Sequence, residues 1–135
     1  MPADKKAMTV LICGGRDFSD YNFFCEVMDR FRQGKIIGTI VRGNAQGTDK
    51  MAKRYARLNH ITQIRYPAEW RLYGKAAGPK RNQQMLDEEQ IDVMIAFPGG
   101  TGTMDMIGRA RKAGVPVYLA AEEKVEYATN SSRYG

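Results

Sequence analysis

The chain has 135 residues, 43% of them hydrophobic, and a formal net charge of +6. These totals suit one domain with a real core and exclude a membrane protein. The longest apolar run near the N-terminus, residues 8–13, is too short for a secretory signal core and far too short to span a bilayer. The protein is therefore expected in the cytoplasm, with no membrane partner. Cys13 and Cys25 form no C-x-x-C pair and read as small buried hydrophobes. His60 is the single histidine and reads as a loop residue, so neither a zinc site nor a Ser-His-Asp triad has the material it needs. No metal site is expected.

In chain order, residues 1–7 are polar and expected to be flexible. Residues 8–13 (MTVLIC) read as a buried strand that ends at Gly14 and Gly15. Residues 20–32 read as a helix with Phe24, Val27, Met28 and Phe31 as its apolar stripe, Ser19 or Asp20 as its cap, and Gly34 as its end. A second strand is expected over 38–42. A second helix follows over 47–58, with Met51, Tyr55 and Leu58 inward, and a third strand over 61–66. Residues 67–79 (PAEWRLYGKAAGP) read as a long loop, and loops of that length tend to be functional or disordered. A third helix is expected over 80–89, a fourth strand over 91–97 and a fourth helix over 100–113 with Gly114 as its C-cap. A fifth strand is expected over 116–120. Residues 121–128 read as a short helix, and 129–135 as a flexible tail.

Strands that are continuous apolar runs, alternating with amphipathic helices, predict a parallel sheet covered on both faces. The expected fold is thus α/β, a single Rossmann-like domain: a doubly wound parallel sheet of about five strands. Ligands in such sheets bind outside the carboxyl ends of the strands.

Three glycine-containing loops fall at that edge. The first is Gly14, Gly15, Arg16, Asp17; the second runs from Gly43 and Asn44 to Gly47, Thr48 and Asp49; the third is Pro98, Gly99, Gly100, Thr101, Gly102, Thr103. Glycines let the backbone approach an anion, while the free N–H groups and dipole of the following helix favour negative charge. A turn needs one glycine, and the third loop has three. It is neither a Walker loop nor a G-x-G-x-x-G fingerprint. Arg16 is placed either to clamp a phosphate or to pair with Asp17 or Asp20. Asp49, at a helix start, reads as a cap before it reads as a ribose ligand. In the long loop, Trp70 or Tyr73 can stack on a base beside Lys75, or Trp70 can plug the loop onto the core. Arg81 and Asn82 follow and are expected to face the crevice.

Between Arg42 and Arg81 stand ten basic residues and two acidic ones, a local charge of +8. Such a field favours phosphates, nucleotides or nucleic acid. Lys50, Lys53, Arg54 and Arg57 also fit a solvated helix face.

Taken together, GGRDF, GNAQGTD, PAEW-x-x-YGKAAGPKRNQQM and AFPGGTGT resemble the YspA/cpYpsA-like members of the SLOG superfamily, over residues 10–117. That superfamily includes the LOG phosphoribohydrolases, the DNA-processing protein DprA and molybdenum-cofactor carriers. The resemblance implies a pocket for a nucleotide or a nucleotide-derived ligand of the ADP-ribose or cyclic-nucleotide kind, with no required cofactor, and a homo-oligomer. The LOG motif R-K-x-x-M is matched by Arg81 to Met85 with Asn82 for lysine. The LOG motif P-G-G-x-G-T-x-x-E is matched from Pro98 to Thr103, but Met106 stands at the glutamate position. Asp105 lies one residue early, about 100° around a helix. The binding half of the motif is present and the catalytic half is altered. The leading expectation is a sensor, carrier or sequestering protein. An N-glycosidic hydrolase of nucleoside 5′-monophosphates using Arg81 and Asp105 comes second. Single-stranded DNA binding of the DprA kind comes third, since the Gly43–Asp49 loop resembles that of DprA.

Overall fold

A computed structural model describes residues 6–120. The elements are β1 (Ala7–Cys13), α1 (Tyr21–Phe31), β2 (Ile36–Gly43), α2 (Thr48–Leu58), β3 (Thr62–Tyr66), α3 (Trp70–Tyr73), a 3-10 turn (Gly74–Ala76), α4 (Ala77–Glu88), β4 (Val93–Ala96), α5 (Thr101–Lys112) and β5 (Val117–Leu119). The five strands form one parallel sheet in the order β3-β2-β1-β4-β5. The α/β, Rossmann-like expectation holds. The helix expected over 121–128 and the tail lie outside the described residues.

The pleat sends alternate residues of β1 to opposite faces. Val10 and Ile12 pack with Phe24, Val27 and Met28 of α1 and with Met51, Ala52 and Tyr55 of α2. Leu11 and Cys13 pack on the other face with Met85 of α4 and with Met106, Ile107 and Ala110 of α5. The chain thus winds one way through α1 and α2, then crosses the sheet and winds the other way. The reversal of strand order lies between β1 and β4, where a crevice opens at the carboxyl ends of the two strands.

Local chemistry sets the helix ends. Asp20 caps α1, its Oδ1 accepting from the Phe23 amide at 3.0 Å. Gly114, at φ 80°, follows α5 in the left-handed region that glycine tolerates. His60, at φ 55°, occupies the turn between α2 and β3.

Two expectations are corrected. Residues 67–79 are no open loop: they contain α3, the 3-10 turn and the first residues of α4. Pro79 lies in the first turn of α4, where its missing N–H has no helical acceptor, so proline there starts a helix instead of barring one. Leu58 does not point inward but is 65% exposed, because the buried stripe of α2 runs through Thr48, Ala52, Tyr55 and Ala56 and leaves Leu58 to one side of it.

Candidate functional site

The switch point is stitched by backbone hydrogen bonds. The Phe97 amide donates to Cys13 O at 2.8 Å and the Gly15 amide to Pro98 O at 2.8 Å. Gly15 O in turn accepts from the Thr48 amide at 3.1 Å and from Thr48 Oγ1 at 3.0 Å. The three glycine loops are therefore one continuous unit. Phe97 anchors it from below, stacking on Phe24 at 4.6 Å and on Phe18 at 5.8 Å between ring centroids.

Above this seam lies a cavity of about 790 Å³, lined by Gly14, Gly15, Arg16, Asp17, Gly43, Asp49, Trp70, Lys75, Arg81, Asn82, Pro98, Gly99, Gly100, Thr101, Gly102, Thr103 and Asp105. Pockets for small molecules and cofactors span about 300–1,000 Å³. Most residues singled out from the sequence thus meet in one place. Asn44 is exposed and does not line the cavity. Gly47 and Thr48 are in the seam: a side chain at Gly47 would collide with the Arg16 and Gly15 carbonyls, and Thr48 is fully buried. The cavity wall also takes in Cys13, read from the sequence as a small buried hydrophobe, Met85 and Met106, read only as positions of the LOG motifs, and Ile12, Phe18, Ala45, Gly78 and Pro79, which the sequence did not single out. Their only signal is position, at strand ends or on a helix stripe shared with ordinary core.

The glycines of the third loop divide into two kinds. A side chain at Gly99 would collide with Thr103 Oγ1 and approach the Gly15 amide to 2.6 Å, so the fold itself requires glycine there. Side chains at Gly100 and Gly102 would meet nothing within 4 Å. Gly100 is the N-cap of α5 and Gly102 lies in its first turn. At Gly102 alanine would serve the helix better, by up to roughly 1 kcal/mol, whereas at the N-cap glycine is itself preferred over alanine. The amides of this turn have no acceptor in a preceding helical turn, and the residues that carry them line the cavity.

Asp49 is not the cap of α2. The cap is Gly47 at φ 69°, with no side-chain cap bond. The Asp49 carboxylate instead turns back and accepts from the Ala45 amide at 3.0 Å, stapling the second loop. Burial pushes its acid up, against the opposing pull of the Ala45 amide, Arg81 and Arg42. Trp70 does not plug the core: it is 59% exposed at the cavity rim, its ring against Gly78. Arg42 is 4% exposed and braces the end of β2, donating to Gln63 Oε1 at 2.9 Å and to Gly43 O at 2.8 Å.

The local +8 charge is therefore divided. Arg42 is structural, Lys75 and Arg81 line the cavity, and Lys50, Lys53, Arg54 and Arg57 lie along exposed α2. Arg81 Nη1 donates to Tyr66 O at 3.1 Å and its Nε to Asn82 Oδ1 at 3.1 Å. A side chain at Gly43 would collide with this guanidinium, so glycine makes room for it. Asp105 accepts from Asn82 Nδ2 at 3.0 Å and from Arg109 Nε at 2.8 Å. Burial works against its charge, but the bonds from Arg109 and Asn82 prevail and hold the carboxyl below the usual range. Met106, at the altered position, is 1% exposed and packs in the core.

No group of three or more potential metal ligands is found among the described residues, and no described helix is long and apolar enough to cross a membrane. Residues 8–73 match the sequence model of the YspA, cpYpsA-related SLOG family. The chain is similar to Gene 61 protein of Mycobacterium phage D29, 34% identical over 116 residues that cover 80% of this chain and 92% of the phage protein. With the parallel sheet, the stitched glycine loops and these matches, the chain belongs to the YspA, cpYpsA-related SLOG family.

Proposed function

We propose that this cavity binds a nucleotide-derived ligand by its phosphate and that the protein acts as a sensor, carrier or sequestering module. The observation that carries this reading is the pair Gly100 and Gly102, glycines that no packing in the protein requires. They leave the first-turn amides of α5 open to close approach by an anion. Arg16, Lys75 and Arg81 line the same cavity and add positive charge. Exposed Trp70 at the rim offers a face for a base to stack on. An ADP-ribose-like or cyclic-nucleotide ligand fits this chemistry. Calorimetry against a panel of nucleoside 5′-monophosphates, cyclic nucleotides and ADP-ribose tests it. Micromolar binding of one member is expected, and no binding at millimolar concentration would overturn it.

A second reading, cleavage of an N-glycosidic bond, is favoured by one observation: Arg81 and Asp105 line the same cavity. Against it, Asp105 is engaged by Asn82 and Arg109, whereas a carboxylate that stabilises an oxocarbenium-like centre must stand free beside it. Release of free base from a nucleoside 5′-monophosphate, abolished in Asp105→Asn, would put this reading first.

A further inference from the structure

Arginine carries only donors and an ionised carboxylate only acceptors, so an amide between the two has a single workable orientation. Asn82 stands in that position. Its Oδ1 receives Arg81 Nε at 3.1 Å, and its Nδ2 donates to Asp105 Oδ2 at 3.0 Å, with Gly102 O further off at 3.5 Å. Asn82 is 5% exposed, so water does not compete for these bonds. Asp105 is itself held: Arg109 Nε donates to the same Oδ2 at 2.8 Å, while Arg109 Nη1 is bound to Gln83 Oε1 at 3.0 Å. The chain of bonds runs from α5 through α4 to the guanidinium in the cavity wall. Without the carboxylate, only the long bond to Gly102 O holds the NH₂ on that side, and the amide can turn over to present it to Arg81, donor against donor.

We propose that Asp105 is a positioning residue: it fixes the flip state of the Asn82 amide, and through it aims the Arg81 guanidinium into the cavity. The proposal rests on the reading of the cavity as an anion site. It gives Asp105 a role that needs no contact with the ligand and no place in bond cleavage. Two Arg81 donors are spent on Asn82 and Tyr66, and the others belong to a side chain that lines the cavity. What the network fixes is their direction.

The test has one arm that needs no ligand. The Arg81 Nε–Hε resonance, assigned by its loss in Arg81→Lys, should be resolved and slow to exchange in the wild type. It should shift and broaden in both Asp105→Ala and Asn82→Ala, and stay in place in Asp105→Asn, which keeps an oxygen acceptor. In the second arm, adenosine 5′-monophosphate is titrated into the variants. Each alanine variant should bind about tenfold more weakly, as for loss of one charge-assisted bond. The double variant should bind no more weakly than Asn82→Ala alone, because Asp105 acts through Asn82. Additive losses, an Arg81 signal unmoved in Asp105→Ala, or a signal lost in Asp105→Asn would overturn the proposal. If Asp105→Ala does not fold, Asp105→Leu, which keeps side-chain volume but also removes the acceptor, decides it in its place: an Arg81 signal unmoved in that variant would overturn the proposal. A wild type with the expected Arg81 signal and variant pattern that binds no member of the nucleotide panel would refute the ligand reading and leave the positioning role in place.

Discussion

Gly102→Ala separates what the fold needs from what a ligand needs. The new methyl group would meet no atom within 4 Å, and the position is in the first turn of α5. Helix propensity then favours alanine by roughly 0.5–1 kcal/mol, less than the interior value because the turn is terminal. For a domain of this size that corresponds to a rise in Tm of about 2–6 °C. The same methyl group would stand between the first-turn amides and an approaching phosphate oxygen. Loss of one charge-assisted bond of about 1.5–3 kcal/mol weakens binding roughly tenfold to hundredfold. Thermal melting reads the first effect. Titration with adenosine 5′-monophosphate, followed by the emission of Trp70, the chain's single tryptophan, reads the second. A variant that is more stable yet binds within twofold of wild type would refute the claim that Gly102 is reserved for a ligand. A less stable variant would refute the account of the helix.

Gly99→Ala should behave in the opposite way, losing stability outright because its methyl group would strike Thr103 and the Gly15 amide; a wild-type melting curve would count against the seam. Thr48→Val keeps the buried shape but removes the hydroxyl bond to Gly15 O, and should cost about 1 kcal/mol in urea unfolding. Trp70→Ala should leave Tm within about a degree, since the ring is mostly exposed, while weakening nucleotide binding measured by calorimetry. Asp105 contributes stability that is present above the unfolded carboxyl value, about 3.9, and is lost as pH falls through its lower folded value. The gap in Tm between wild type and Asp105→Asn should therefore narrow from pH 6 to pH 3; a gap that is constant or widens would contradict the depressed acid.

Much of the sheet and of the cavity edge was legible in the sequence, because each informative strand is an apolar run that ends in glycine. Gly14, Gly43 and Gly99 mark the points where β1, β2 and β4 give way to loops at one edge. What escaped depends on contacts between distant segments. Asp49 looks like a cap from its neighbours, and only the folded loop shows its carboxylate returning to Ala45. Met85 and Met106 carry the same pattern whether they fill the core or floor a cavity. Asn82 and Asp105 come together through the packing of α4 on α5, and no local period records that pairing. The start of α4 was missed because Pro79 and Gly78 both suggest a loop, although proline in a first turn is compatible with a helix.

The backbone seam at the carboxyl edge has no counterpart at three of the turns on the opposite edge. Gly15 O alone serves both the amide and the hydroxyl of Thr48, so a residue added to any one of the three loops would pull the other two out of register. The turns at Gly34, His60 and Gly114 carry no such coupling, whereas the turn before β4 is tied to β1, the Thr9 amide donating to Asp92 Oδ2 at 2.8 Å and the Asp92 amide to Thr9 O at 2.9 Å. Gly34 and Gly114 sit at positive φ with open space around them, and His60 turns the chain at the surface. Length variation and grafted segments are thus tolerable at these three turns and excluded from the opposite rim of the sheet.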